Sequence, residues 1–230
     1  MRSPITGWMQ WFCCSTGAYH PRMRRSATLL FPLVLLTLGA DCTGFKRWAY
    51  ERGDRDEWQR PDAVVAALDL RPGHRVADVG SGSGYFTGRL ARAVSPGGRV
   101  FAVDVDADMN AYLEARLREE GVENVEVVLA TEGDPGLPPE GIDLLFTSNT
   151  YHHLPDRTAY FAKAARYLRS GGRIAVIEYD GEKAGWFARA FGHNTRRDTI
   201  VSELEAAGYR LAAEPGFLSR QNFLIFELAR

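Results

Sequence analysis

Two apolar periods alternate along residues 61–228. Short apolar runs predict strands at residues 75–79, 99–103, 125–129, 142–147, 173–179, 209–213 and 223–228. Between most of these runs, apolar residues recur three or four apart, the spacing of one helix face. That spacing predicts helices over residues 61–70, 85–94, 157–168 and 198–207. Pro61 suits a first helical turn, and Phe86, Leu90 and Val94 share a face of the second helix. A further helix carries Met109, Tyr112, Leu113 and Leu117 on one side, with Asp106 as its cap and Gly121 as its close. Gly171 and Gly172 are expected to stop the helix over residues 157–168, and Gly208 the one over residues 198–207.

Strands that alternate with helices imply a parallel sheet covered on both faces. The last two strands are separated only by "EPGFLSRQN", with no helix between them, so they must pair antiparallel. The expected fold is therefore α/β, with a parallel sheet and an antiparallel edge element. A chain of 230 residues holds one core of ordinary size. One domain is expected over residues 43–230, after an extension over residues 1–42.

The extension has its own pattern. "MRRSATLLFPLVLLTLGADC", residues 23–42, runs from Arg24 and Arg25 through an apolar stretch broken by Pro32 to the small Gly39 and Ala40. This is the layout of an export signal. The stretch is short for a membrane span, which needs about 20 apolar residues. Cys42 is a candidate lipid carrier, although Asp41 stands where such signals place a small residue. Residues 24–40 thus predict export or membrane anchoring, with a cytoplasmic location as the alternative. Translation is expected to begin at Met23, with residues 1–22 an over-extended reading of the gene.

Composition narrows the partners. Lys plus Arg number 28 against 29 for Asp plus Glu, without a basic stripe, so no nucleic-acid partner is expected. The three cysteines are Cys13, Cys14 and Cys42. The domain after residue 42 therefore has no thiolate for a metal site and no internal disulfide, and no metal is expected.

The chemistry concentrates in "VADVGSGSGYFT", residues 76–87, which follows the first strand and opens the first helix after it. That position is the carboxyl edge of an open α/β sheet, where such folds bind ligands. Gly80, Gly82 and Gly84 let the backbone turn sharply and approach a ligand closely. A dinucleotide-binding turn would read G-x-G-x-x-G, yet the sixth position is Tyr85 counted from Gly80 and Thr87 counted from Gly82. Asp104, at the end of the second strand, suits a ribose hydroxyl pair in either ligand class. Asp78 discriminates between them, because its carboxylate would repel a pyrophosphate and attract a ligand carrying ammonium and sulfonium charges.

"VADVGSGSGYFT" resembles the first motif of class I S-adenosylmethionine-dependent methyltransferases, and "VFAVDVD" their second strand. "GIDLLFTSNTYHHL" and "LRSGGRIAVIEY" resemble their fourth and fifth strands, and "VSELEAAGYRLAAE" with "QNFLIFEL" their last helix and terminal hairpin. The resemblance runs in order from about Trp58 to Glu227. It implies a Rossmann-like seven-stranded sheet of order 3-2-1-4-5-7-6 with strand 7 antiparallel, and S-adenosyl-L-methionine as cofactor. It further implies that Asp78, Gly80, Ser81, Gly82 and Gly84 hold the cofactor's methionine part and that Asp104 takes both ribose hydroxyls. Val105 would pack on the adenine, Glu132 or Asp134 would approach its amino group, and Asn149 would lie near the reactive methyl.

Residues after the fourth and fifth strands, Tyr151, His152, His153, Glu178 and Tyr179, are expected to line the acceptor pocket. Were the chain extended there, the neighbouring histidines would face opposite sides, and His152 is the expected substrate-facing base. Residues 180–195, with Trp186, Phe187, Phe191 and His193, read as a lid or substrate loop. The expected activity is methyl transfer to a small-molecule or lipid acceptor. A non-catalytic cofactor-binding module and a nucleotide-cofactor oxidoreductase are the alternatives.

Overall fold

The structure, a computed structural model, describes residues 54–139, 141–181 and 194–229. All of them belong to Gly39–Arg230, one of the two units into which the chain divides. The signal-like segment over residues 24–40 and the core of the expected substrate loop, residues 182–193, lie outside the described residues.

The chain runs α1 (Arg55–Gln59), α2 (Pro61–Ala67), β1 (Arg75–Val79), α3 (Thr87–Ala93), β2 (Arg99–Asp104), α4 (Ala107–Glu119) and β3 (Val125–Leu129). It continues through β4 (Ile142–Ser148), α5 (Arg157–Ala164), β5 (Leu168–Tyr179), α6 (Arg197–Ala206), β6 (Tyr209–Ala213) and β7 (Gln221–Leu228). The strands form one seven-stranded sheet in the order β3-β2-β1-β4-β5-β7-β6. Neighbours from β3 to β5 are parallel, while β7 is antiparallel to both β5 and β6. This is the Rossmann-like architecture that the resemblance implies.

Successive residues of the central strands enter different cores. Val76, Leu144 and Ala175 pack with Val64, Leu90 and Val94 of the α2–α3 side. Ala77, Leu145 and Ile174 pack with Phe161, Ile200 and Leu204 of the α5–α6 side. Burial on both faces explains the continuous apolar runs of β1, β4 and β5. Each large apolar side chain so enclosed contributes about 1.5–3 kcal/mol. Asp106 caps α4 as its position suggests, accepting from the backbone N–H groups of Asp108 at 3.1 Å and Met109 at 3.2 Å. Among the described residues, no helix is long and apolar enough to cross a membrane.

Two expectations are corrected. The helix expected over residues 157–168 ends at Ala164, and a 3-10 turn occupies Ala165–Tyr167. Leu168 already opens β5 by pairing with Ile142, while the next pair is Arg173 with Leu144. Residues 169–172 therefore bulge from the strand. Gly171 has φ 77°, and a Cβ at Gly172 would stand 2.8 Å from the Ile142 carbonyl oxygen. The two glycines serve this close approach and not a helix stop. The second difference is α1, which no apolar period announces because five residues are too few to show one.

The α5–α6 face is fastened by one carboxylate. Glu203 on α6 accepts from Arg157 Nε at 2.7 Å and Nη2 at 2.6 Å, and from the Tyr151 hydroxyl at 2.7 Å. Burial pushes the Glu203 pKa up, but the hydrogen bonds from Arg157 and Tyr151 outweigh it, and the net displacement is downward. A carboxyl held below its unfolded value stabilises above that value and loses the contribution as pH falls through the folded one. Glu203→Gln should therefore lower stability by about 1–3 kcal/mol at pH 7. Denaturant unfolding at several pH values should show the gap to wild type closing in acid, and a pH-independent gap would refute the assignment.

Candidate active site

β1 delivers Asp78 to the carboxyl edge, where the side chain is 3% exposed and accepts from the Thr87 hydroxyl at 2.7 Å. The next turn is built from glycines in the left-handed region: Gly80 at φ 76°, Gly82 at 51° and Gly84 at 85°. L side chains rarely adopt such angles. Gly80 also admits no Cβ, which would stand 2.0 Å from Thr150 Oγ1. The turn is thus pressed against the segment that follows β4. Its Gly80 and Ser81 amides donate to the Val103 carbonyl oxygen on β2, at 2.8 and 3.2 Å.

Gly82 N–H donates to Asp104 Oδ2 at 2.9 Å, and Asp106 N–H donates to Oδ1 at 3.0 Å. These two bonds orient the carboxylate at the end of β2. A carboxylate offers about four acceptor sites, so capacity for two hydroxyls remains. The adjacent Val105 is 55% exposed, an apolar side chain left in water beside that acid. The hydroxyls of Ser81 and Ser83 are buried with no hydrogen-bond partner. Unmet buried hydroxyls in a glycine turn, an oriented acid and an exposed apolar side chain together fit a nucleoside bearing a polar tail.

On the other side of the turn, Asn149 has φ 57°, and its N–H donates to the Ile177 carbonyl oxygen at 2.8 Å. Its Oδ1 accepts from Gln221 Nε2 at 2.6 Å, while Gln221 Oε1 is buried without a partner. His152 follows on a 3-10 turn, Tyr151–His153, so the condition for opposed histidines does not hold. Their rings lie 4.0 Å apart instead. The His152 ring is 8% exposed and its Nδ1 is 2.9 Å from Glu178 Oε2, which also accepts the His152 backbone N–H at 3.2 Å. Glu178 is fully buried, and its Oε1 accepts the Tyr179 N–H at 2.8 Å. Tyr151 is buried in the α5–α6 core and serves Glu203.

The structure joins Asp78, Gly80, Ser81, Gly82, Gly84, Asp104 and Asn149 in one neighbourhood, with His152 and Glu178 beside Asn149. Glu132 is exposed on the loop after β3. Asp134, on the same loop, is engaged elsewhere, accepting from Tyr167 Oη at 2.5 Å, Gly136 N–H at 2.9 Å and Arg166. Among the described residues, no group of His, Cys, Asp or Glu is placed to hold a metal ion. Sequence reasoning missed Gln221 and the residues of α1, namely Arg55, Trp58 and Gln59. Gln59 Nε2 donates to Ser148 Oγ at 2.9 Å, which ties α1 to the end of β4. Gln221 gave no signal in the sequence, where the last strand is expected only from residue 223.

Burial pushes the Asp78 pKa up to about 7, with the charge of Asp104 adding to it and the Thr87 hydrogen bond and Arg55 opposing it. A folded value above the unfolded one means that stability falls as pH rises from about 4 to about 7, and stays lowered above that. The displacement corresponds to roughly 4 kcal/mol. Asp78→Asn should therefore leave stability near wild type at pH 4 and raise it at pH 8. Thermal melts across this range check the point, and equal pH slopes for the two proteins would contradict it.

Comparison with known proteins shows what this chain is similar to. A family described as "Methyltransferase domain" matches residues 76–172. Nocamycin O-methyltransferase of Saccharothrix syringae is 35% identical over 122 residues, covering 52% of this chain and 44% of that protein. The ubiquinone/menaquinone biosynthesis C-methyltransferase of Vibrio vulnificus is 32% identical over 123 residues, covering 53% and 46%. The chain thus spans less than half the length of these curated relatives. A structure of an S-adenosylmethionine-dependent methyltransferase from Aquifex aeolicus superposes with a TM-score of 0.74 at 23% identity, covering 80% of this chain and 98% of that one. The matched region and the sheet order support a class I S-adenosylmethionine-dependent methyltransferase domain, whose cofactor is S-adenosyl-L-methionine.

Proposed function

We propose that this protein transfers a methyl group from S-adenosyl-L-methionine to a small-molecule or lipid acceptor. The observation that carries the reading is the bond from Gly82 N–H to Asp104 Oδ2, which makes the glycine turn and the ribose acid one rigid unit. The bound cofactor supplies an electrophilic methyl carbon on a sulfonium centre. Asp104 accepts from its ribose hydroxyls, Val105 packs on the adenine, and Asp78 with the glycine turn holds the methionine end. Glu132 remains a candidate for the adenine amino group, whereas Asp134 would first have to release Tyr167 and Arg166. Asn149 lies beside the transferred group. Holding the acceptor in line with the methyl is worth roughly 7–11 kcal/mol.

The pair His152–Glu178 supports a protic acceptor, a hydroxyl or an amine. Glu178 accepts the Nδ1 proton of His152, which fixes the tautomer and puts the lone pair on Nε2. His152 would take the acceptor's proton on Nε2, while the bound cofactor would give up its methyl group to the heteroatom and leave as S-adenosylhomocysteine. Residues 24–40 would export or anchor the protein, and cell fractionation tests that part of the reading.

Incubation with labelled S-adenosyl-L-methionine and a cell extract, lipid fraction included, should label a product identifiable by mass. Tight binding of S-adenosylhomocysteine with no labelled product from any fraction would favour a binding module instead. Asp104→Ala should weaken S-adenosylhomocysteine more than tenfold, since each charge-assisted hydrogen bond is worth about 1.5–3 kcal/mol. An unchanged dissociation constant in calorimetry would remove Asp104 from the site.

Once the acceptor is known, His152→Ala should lower turnover about 10²-fold or more with little change in cofactor affinity. Wild-type turnover in that variant would leave alignment as the whole mechanism.

A further inference from the structure

A parallel sheet has two apolar faces, and both must be covered. On one face α5 and α6 do this through Phe161, Ile200 and Leu204. The connection from β3 to β4 has no helix among its described residues. Its irregular chain instead lays Leu137, 5% exposed, against Ala77 and Phe101 of that same face. Towards the amino ends of β1, β2 and β3 the cover is incomplete. A cavity of about 640 Å³ opens there, lined by Arg75, Arg99, Phe101, Glu126, Leu137 and Pro138 together with three glycines. Arg75 and Arg99 are partners across the β1–β2 pair, and Glu126 on β3 is the partner of Phe101.

The charges in this cavity are unequal. Arg99 Nη1 donates to Glu126 Oε2 at 3.1 Å, so these two offset each other. Arg75 has no such partner. Its Nε is buried without a hydrogen bond, and among the described residues no carboxylate pairs with its guanidinium. Asp143 is committed elsewhere. Its Oδ2 accepts the backbone N–H of Arg75 at 2.7 Å, and its Oδ1 pairs with Arg169 and lies 3.9 Å from His74 Nε2. The guanidinium carbon of Arg75 stands 5.3 Å from the centroid of the Phe101 ring. A donor held out of water without an acceptor is costly, and more so on a charged group. Two cations against one anion leave the lining with one positive charge to satisfy.

We infer that this cavity binds a small organic monoanion, a carboxylate on a planar apolar body. Arg75 takes the carboxylate with its planar fork, which matches that group through two parallel hydrogen bonds. Phe101, Leu137 and Pro138 receive the apolar body. A dianion such as phosphate would bring its second charge up to Glu126 and find no further unpaired cation. The volume lies in the range of small-molecule sites, about 300–1,000 Å³. The site is separate from the one described above. Arg75 precedes Asp78 by three residues on β1, and Arg99 precedes Asp104 by five on β2. At about 3.3 Å per residue the two sites are roughly 10–16 Å apart along the strands. The inference does not depend on the cofactor reading.

Calorimetric titration of the full chain with benzoate, its neutral isostere benzamide and inorganic phosphate tests this. Benzoate should bind saturably, and about tenfold or more tighter than either of the others. Arg75→Gln should weaken benzoate about tenfold or more. Glu126 is exposed, so Glu126→Gln should leave the fold intact; by removing a like charge it should tighten benzoate about twofold to fivefold. Excess S-adenosylhomocysteine should leave the benzoate affinity unchanged. No saturable binding of benzoate, equal binding of benzamide, or tighter binding of phosphate would overturn the proposal. Displacement by S-adenosylhomocysteine would put the carboxylate in the other site and overturn it as well. So would wild-type affinity in a cooperatively melting Arg75→Gln. Should that variant not fold, an unchanged or weakened affinity in Glu126→Gln would overturn it instead.

Discussion

The carboxyl edge is organised around one buried charge. Asp78 is the last residue but one of β1, whose Val76, Ala77 and Val79 are enclosed in the two cores, and it is itself almost fully buried. An isolated carboxylate in such a place would surrender its charge, and burial does push its pKa up to about 7. The surroundings respond in three ways. Thr87 donates a hydrogen bond, Arg55 supplies a positive field from α1, and the glycine turn keeps the backbone beside the carboxylate free of side-chain bulk. A ligand bringing an ammonium to this point would find its counter-charge already desolvated, so less of the binding free energy is lost in stripping water from the protein. The folding free energy withheld by Asp78 becomes available when that ligand arrives.

This dependence separates the two halves of the site. The half proposed for the cofactor is carried by strand ends that sequence order alone fixes: Asp78 stands next to the end of β1 and Asp104 ends β2, and the turn after β1 is too crowded for a Cβ at Gly80. The acceptor half is assembled across longer distances in sequence. Glu178 on β5 meets His152 after β4, and Gln221 at the start of β7 meets Asn149, 72 residues away. The antiparallel insertion of β7 between β5 and β6 makes the second contact possible, because it brings the first residue of the last strand to the same edge where the parallel strands end.

Legibility in the sequence follows the same division. The strands at Arg75–Val79, Val125–Leu129 and Tyr209–Ala213 were readable to the residue, since short runs of β-prone residues leave a sharp outline even where, as in β3 and β6, the strand is partly exposed. The start of β5 was not, because its glycines look like a helix stop and instead accommodate a bulge against Ile142. α1 escaped because its purpose lies in contacts with Tyr85, Ser148 and Tyr179, none of which is local. The histidine pair was visible as chemistry, but not its geometry. A 3-10 turn brings the rings together, and Glu178, 26 residues on, lies 2.9 Å from Nδ1 of His152.

The extent of the family match acquires a physical meaning here. It covers residues 76–172 and so contains Asp78, the glycine turn, Asp104, Asn149 and His152. It stops before Glu178 and Gln221, and it begins after Arg55, Trp58 and Gln59. The matched region thus holds the residues proposed for the cofactor together with Asn149 and His152, whereas α1, Glu178 and Gln221 lie outside it. Relatives that match about half of this chain include one named for oxygen methylation and one for carbon methylation. That spread is what a fixed cofactor half joined to a variable acceptor half would produce, since one fold hosts many chemistries through the residues at its edge. On the proposed reading, the acceptor is to be sought in what contacts His152, Asn149 and Gln221 rather than at the glycine turn.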